Sequence, residues 1–242
     1  CGGDGTLNEV VNGAAGYNNV AVTVFSGGSG NDFVKLFDDP KAFFDLERLL
    51  DCEEASFDMI RCNDTRALNI CSVGLDARIG TDVSSYKRIP LLQGFRAYAA
   101  STVVNVIKGI SEHYVVQING ETIDGPQTLI CACNGRYYGG GFMPMPEAQM
   151  DDGVMNVMVV DKISKLQFLK FVGLYSKGEY KKVPHVAHGY TPKTVRIRSE
   201  REDIVTCLDG ECMVSSDITL RLADKRLNFF GPAGCNCNAT VR

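Results

Sequence analysis

The sequence predicts two fused units, an α/β unit over residues 1–55 and a β-rich sandwich over residues 56–232. Three observations predict this. Two glycine-rich loops bracket an apolar strand among helical stretches near the start, as in an α/β fold. After about residue 55 the pattern changes to short strands. Hairpin-like turns at Asn63-Asp64 and Asn119-Gly120 punctuate that second stretch.

Taken in order, Leu7, Val10, Val11 and Ala14 share one helical face. Val20 to Phe25 reads as a buried strand that runs into Ser26-Gly27-Gly28-Ser29-Gly30. Helix is expected from Asn31 onward and again from Lys41 to Leu50. Strands are expected through Arg61 to Ala67, Val116 to Ile123, Val154 to Val160, Thr194 to Arg198 and Ile218 to Leu222. Two helices interrupt them, one with Leu92, Phe95, Ala99 and Val106, the other with an apolar face of Leu166, Leu169 and Val172. The tail after Pro232 has no periodicity, and residues 233–242 are the candidate segment to rejoin the first unit.

Composition narrows the function classes. A chain of 242 residues with 45% apolar and 22% charged residues can bury a sizeable core. A formal charge of −4 offers no general affinity for nucleic acid. No apolar run approaches the roughly 18 residues of a membrane span, and no signal peptide is present. The ten cysteines, without secretory features, read as reduced thiols of a cytoplasmic protein, with Cys131 and Cys133 alternating along a strand. The first glycine loop needs a strand to feed it, and only Cys1 precedes it. The α/β unit is therefore expected to be N-terminally incomplete.

The loops carry the chemistry. In Gly2-Gly3-Asp4-Gly5-Thr6, glycines permit a sharp turn and close approach to a ligand, and the following helix aims free N–H groups at the same point. That suits a phosphate, and the carboxylate makes sense where a divalent cation lies between the charges. Thr6-Leu7-Asn8-Glu9 also matches a capping box, so a tight turn with a good cap accounts for the same residues. Gly27-Gly28-Ser29-Gly30-Asn31-Asp32 is a second strand-to-helix loop, placed to face the first across a cleft, unless Asn31 or Asp32 is only a cap. Tyr137-Tyr138-Gly139-Gly140-Gly141-Phe142 sets three glycines between aromatics. Asp151-Asp152-Gly153 is either a cation-holding turn or a solvated one. Asp209-Gly210-Glu211 offers two carboxylates, but Asn119-Gly120-Glu121 has the same shape and reads as a plain hairpin. His185 with His188, and Cys235 with Cys237, lack further ligands nearby and read as structural.

The order of these motifs is more specific than any one of them. Residues 2–13, Gly28-Ser29-Gly30-Asn31-Asp32-Phe33, residues 134–142 and Asp209-Gly210-Glu211 together resemble the diacylglycerol kinase catalytic family. The nearest branch is that of the soluble bacterial lipid kinases, with sphingosine kinases as relatives. The resemblance extends from Gly2 to about Pro232. It implies an ATP-binding domain with two facing glycine loops and a sandwich domain behind it. By that likeness Gly3, Asp4, Gly5 and Thr6 line the phosphates opposite Ser29, Gly30 and Asn31. Asp4 and Asp58 join a water network around the catalytic Mg2+. Asp152 binds a second, structural Mg2+ with backbone carbonyls near Gln149 and Val154. Glu211 is the general base on the lipid hydroxyl, with Asp209 beside it.

The implied reaction is transfer of the ATP γ-phosphate to diacylglycerol or a similar lipid taken from the membrane surface. Such transfer depends on alignment and charge neutralisation, with a glutamate base if partial burial raises its pKa. Two departures stand out. The family's opening strand-helix-strand unit with Asn-Pro-x-Ser-Gly is absent, so this polypeptide alone is expected to lack part of the nucleotide wall. Many bacterial members carry Gly-Thr-Thr/Ala-Asn-Asp where this chain has Gly28-Ser29-Gly30-Asn31-Asp32, closer to the sphingosine kinase form. The alternatives are an NAD kinase-like phosphotransferase, which shares Gly-Gly-Asp-Gly-Thr, and a nucleotide-binding remnant without turnover. A homodimer is left open.

Overall fold

Five phenylalanines distant in sequence converge to form the core of the first unit. The computed structural model describes residues 1–86, 95–199 and 203–237. Within them Phe33, Phe37, Phe43, Phe57 and Phe229 are all buried, with neighbouring ring centroids 4.7 to 6.2 Å apart and mostly edge-to-face. Helix α1 (Asp4–Ala14) lays Leu7 and Val11 on this core and leaves Val10 exposed. Strand β1 is only Ala21–Val22, shorter than expected. Beyond it the chain pairs Ser26 with Gly2 instead, through Gly2 N–H to Phe25 O (3.1 Å) and Gly27 N–H to Gly2 O (2.8 Å).

The helix expected after Asn31 is a single 3-10 turn, Val34–Leu36. Phe33, Val34, Leu36 and Phe37 are all buried, a demand that one stripe of a continuous surface helix does not meet. The helix expected from Lys41 to Leu50 is split into a 3-10 turn, Pro40–Phe44, and α2 (Leu46–Leu50). Asp45 separates them because its carboxylate accepts the N–H groups of Glu47 and Arg48 as an N-cap.

Strand β2 (Cys52–Phe57) leads into the second unit. There β3 (Ile60–Cys62) and β4 (Thr65–Ala67) form the expected hairpin, followed by β5 (Ile70–Gly74). Helices α3 (Leu75–Tyr86) and α4 (Phe95–Lys108) come next, with Leu92 of the expected helix outside the described residues. The hairpin of β6 (Glu112–Ile118) and β7 (Glu121–Cys133) turns at Asn119-Gly120 as expected. Then follow β8 (Asn156–Asp161), α5 (Lys165–Tyr175), β9 (Ala187–Tyr190), β10 (Thr194–Arg198), β11 (Ile204–Leu208), β12 (Glu211–Ser215) and β13 (Asp217–Leu222). The last strand, β14 (Leu227–Pro232), leaves this unit.

Eleven strands make one large sheet in the order β12-β11-β5-β7-β6-β10-β13-β3-β4, with β8 on β7 and β9 on β8. It curls around a core that includes Ile60, Val73, Val116, Val157, Ile197 and Leu220. The outer side of β7 and β8 buries Cys131, Met158 and Val160 against α3 and α5. Here the expected face of α5 is corrected. Phe168, Phe171 and Tyr175 are buried, while Leu166 and Leu169 are exposed, because the aromatic stripe buries more area than the leucine one.

A smaller sheet has the order β1-β14-β2, with β14 parallel to β1 and antiparallel to β2. The return to the first unit begins earlier than expected, with β14 itself. Residues to Cys237 continue along it, with Asp38 N–H bonding Asn236 O (3.0 Å), and 238–242 lie outside the described residues. No helix among the described residues is long and apolar enough to cross a membrane.

Phe229 carries the aromatic contacts of β14, so Phe229→Ala is expected to destabilise the protein by about 3–5 kcal/mol in denaturant unfolding. Leu50→Ala, at an exposed site, should stay within about 0.5 kcal/mol. Equal effects from the two would show that the aromatic cluster does not hold the return strand.

Candidate active site

Two glycine loops are packed backbone to backbone. A Cβ on Gly28 would lie 2.5 Å from the Gly3 Cα, and one on Gly3 would lie 2.8 Å from the Gly28 Cα, so neither position accepts a side chain. Asn31 closes its own loop, accepting from Gly28 N–H (3.0 Å) and donating to Gly28 O (2.8 Å), at a left-handed φ of 49°. Ser29 is exposed at the tip. The capping box does not form: Gly3 is the N-cap of α1, no side chain caps the helix, and Thr6 lies inside the first turn over Gly2. The N-terminal N–H groups of α1 thus face the loop without a competing side chain.

Asp4 crosses between the loops. Its Oδ1 accepts from Asp32 N–H (2.7 Å) and Phe33 N–H (3.4 Å), and its Oδ2 would be 2.7 Å from a Cβ on Gly30. Burial, then the nearby Asp32 charge, raises the Asp4 pKa against the pull of those N–H groups. Asp32 is itself buried, paired with Lys35 Nζ at 2.7 Å, and accepts from Gly140 N–H (2.7 Å). That last bond ties the nucleotide-side loop to the triple glycine. Gly139, Gly140 and Gly141 have φ of 60°, 90° and 128°, a run that side-chain-bearing residues resist. In the sequence Asp32 reads only as a possible cap and Lys35 is not singled out; their spacing of three is the available signal of the pair.

The Asp209-Gly210 turn and its look-alike Asn119-Gly120 have the same backbone, with both residues of each at positive φ. Their side chains differ. The Asp209 carboxylate is buried, although its turn backbone is partly exposed, and accepts from Leu68, Asn69 and Ile70 N–H and from Asn8 Nδ2, at 2.5 to 3.3 Å. Burial pushes its pKa up to about 6, opposed by those same N–H donors. Asn8 and Asn12 on α1 also donate to Arg66 O on β4, at 3.1 and 2.9 Å. The two units are thereby locked together at the turn. The consequence falls two residues on: the exposed Glu211 carboxylate reaches the first turn of α1, its Oε1 3.4 Å from where a Gly5 Cβ would be.

The aspartates expected at the metal sites beside Asp4 have protein partners of their own. Asp58 is buried and paired with Arg226 (Nε 2.8 Å, Nη2 3.1 Å), and its Oδ2 accepts from Gly153 N–H (2.8 Å). Arg226 also donates to Asp151 O (2.6 Å). Asp152 is exposed and caps its own turn by accepting from Val154 N–H (2.9 Å), with Gln149 exposed nearby. Among the described residues no group of three or more His, Cys, Asp or Glu is arranged to hold a metal. His188 bonds Asp161 (2.9 Å), as a structural histidine would. Asp4 has a setting in which Mg2+ fits, a crowded, partly desolvated carboxylate between two glycine loops, since Mg2+ commonly takes one or two carboxylates plus substrate phosphates.

On the other side of the triple glycine lies an apolar groove of about 440 Å³, counting space open to solvent. Leu75, Ile79, Phe142, Phe168, Phe171 and Val172 line it, and Asp76 supplies a polar spot. Burial raises the Asp76 pKa, while hydrogen bonds with Tyr138 and Ser72 lower it. The Tyr138 hydroxyl also meets that of Tyr175 (2.5 Å). Helix α3 lies between the groove and Glu211: Leu75, Asp76 and Ile79 face the groove, and Thr81 Oγ1 bonds Cys212 Sγ (3.0 Å) beside Glu211. No signal for this groove is legible in the residues beyond its aromatics.

Comparison with known proteins agrees with this geometry. Residues 1–70 match the diacylglycerol kinase catalytic domain, and residues 69–230 match the YegS C-terminal NAD kinase beta sandwich-like domain. A protein of Staphylococcus carnosus (strain TM300) named "Putative lipid kinase" is 27% identical over 223 residues, spanning 91% of this chain and 72% of the relative. One of the same name from Staphylococcus epidermidis (strain ATCC 12228) is 32% identical over 160 residues, 65% of this chain, and the match spans about half (52%) of that relative. The crystal structure of a diacylglycerol kinase from Bacillus anthracis str. Sterne shares the fold, with a TM-score of 0.68 at 19% identity over 96% of this chain and 75% of that one. With both domain matches in order and the second covering more than half of its length, the chain belongs to the lipid kinase family that joins a diacylglycerol kinase catalytic domain to a YegS-type sandwich.

Proposed function

We propose that the protein transfers the γ-phosphate of ATP to the hydroxyl of a lipid, with diacylglycerol as the leading substrate. The observation that carries this reading is the approach of Glu211 to Gly5, which sets a carboxylate from the sandwich against the phosphate loop of the first unit. Phosphates rest on the uncapped end of α1 and on the glycine backbone of residues 3–5 and 28–30. Magnesium on those phosphates, held by Asp4, would neutralise charge that builds up during transfer. Glu211 takes the proton of the acceptor hydroxyl, and bound lipid supplies the burial that the exposed carboxylate lacks. Asp209 is a positioning residue, since its own carboxylate is occupied by backbone donors. The second magnesium at Asp152, with carbonyls near Gln149 and Val154, stays part of the proposal, with Arg226 already supplying a positive charge there.

The groove favours a lipid over NAD as acceptor, because its lining is mostly aliphatic and aromatic, with only Asp76, Thr102 and Thr128 as short polar members. An acyl chain gains by leaving water there, whereas a dinucleotide would leave its polar groups without partners.

The direct test supplies labelled ATP, magnesium, a panel of lipids in mixed micelles, and NAD to the full-length protein. Label is expected in one lipid class and lost, by at least about a hundredfold, in Glu211→Ala with ATP affinity nearly unchanged. Label in NAD alone, or none despite ATP binding, would defeat the lipid reading.

Glu211 and Asp209 should fail differently. Asp209→Ala orphans three buried N–H groups at about 1–3 kcal/mol each, so it should lower both the melting temperature and turnover. Glu211→Ala should lower turnover and leave stability within about 0.5 kcal/mol. An Asp209→Ala protein as stable as wild type would remove the positioning role.

A further inference from the structure

Four large apolar side chains stand in solvent on two adjacent helices. Val103 (59% exposed) and Ile107 (69%) lie one turn apart on α4, and Leu166 (81%) and Leu169 (66%) lie on α5. The helices are neighbours: Lys165 Nζ donates to Ile107 O (3.2 Å), and Val106 packs in the same core cluster as Phe168 and Val172. The inner face of α4 packs on α3 and that of α5 on the sheet, both helices border the apolar groove, and the four residues stay exposed beside it. Clustered exposed apolar surface of this kind marks an interaction site, whereas single exposed leucines do not.

Charge identifies the occupant. The exposed lysines Lys162, Lys165, Lys170 and Lys177 lie on or beside α5, between Asp161, which is engaged by His188, and Glu179, which is engaged by Lys182, in a chain whose formal charge is −4. Lys108 at the end of α4 adds a fifth cation, partly neutralised by Asp82 at 3.4 Å. Lys162, Lys165 and Lys170 pair with no carboxylate among the described residues. Apolar side chains ringed by lysines suit the surface of an anionic bilayer, where the leucines enter the acyl boundary and the ammonium groups meet phosphates.

Position supplies the purpose. Thr102 is next to Val103, Phe168 is next to Leu169, and Val172 is one turn further on; all three line the apolar groove. The patch and the groove are thus continuous across one pair of helices.

We propose that the outer faces of α4 and α5 dock the protein on an anionic bilayer, so that the groove opens toward the lipid. This rests on the lipid reading of the groove, and its test is chosen to be separable from that reading.

The experiment is co-sedimentation of the full-length protein, without ATP, with phosphatidylcholine vesicles that contain about one-third phosphatidylglycerol, alongside pure phosphatidylcholine vesicles. Wild type should bind the anionic vesicles, and binding should weaken with salt. Leu166→Ser/Leu169→Ser should reduce that binding about tenfold or more, and Lys165→Gln/Lys170→Gln should reduce it on anionic vesicles only. Leu50→Ser, an exposed apolar site on α2, is the control and should bind as wild type. All variants are checked by melting temperature. Undiminished vesicle binding by the folded leucine variant would overturn the proposal, as would conversion of a dimer to a monomer without change in vesicle binding. Transfer to a water-soluble short-chain lipid is measured in parallel. Its loss in wild type would defeat the kinase reading alone, whereas retained transfer with vesicle binding insensitive to the patch would defeat the docking surface alone.

Discussion

The arrangement depends on one buried carboxylate. Asp209 gathers the N–H groups of Leu68, Asn69 and Ile70 and the amide of Asn8 onto two oxygens. Burying a charge is costly, and burying it without partners more so, which is why four donors surround this one. The donors come from the connection between β4 and β5 and from α1, while the acceptor lies on the β11–β12 turn. A single group thus fixes three segments of both units. Because Glu211 starts β12 two residues later, its place at the α1 terminus follows from that fixation, with no strong contact of its own required.

A second constraint is steric. The two phosphate-side loops touch through Gly3 and Gly28, and the triple glycine is held to them by the Gly140 bond to Asp32. Asp32 therefore stands between the two glycine loops and the groove, since Phe142 and Tyr138, on either side of the triple glycine, reach the groove wall. Any movement of the glycine segment is felt on both sides. Among the described residues the negative charge of Asp4 and Asp32 is offset at close range by Lys35, and on the proposed reading this suits phosphate that arrives with a cation.

Much of this was legible in the residues. The two loops, the hairpins at Asn63 and Asn119, and the family likeness were carried by glycine, asparagine and aspartate at positions where backbone geometry demands them. What was illegible had a common cause, long-range packing. Asp209-Gly210-Glu211 and Asn119-Gly120-Glu121 form the same turn, and only the burial of the Asp209 side chain against residues about 140 positions away distinguishes them. The helix after Asn31 contracted to one turn because four of five consecutive residues had to be buried. In α5 the stripes 166-169-172 and 168-171-175 are equally helical in spacing, and area buried against the sheet decided between them.

That last choice links fold and function. A helix with one apolar stripe is satisfied when that stripe is covered; α5 has two, and the sheet can take only one. Mean composition would favour a polar residue at each outward position, yet Leu166 and Leu169 remain, flanked by Lys162, Lys165 and Lys170. Exposed leucines confer nothing on the folded monomer in water, and the proposed docking surface would give the outer stripe a second apolar environment. The same helix then serves two solvents: its aromatic stripe closes the core and lines the groove, and its leucine stripe faces the phase from which a groove of that lining would be filled.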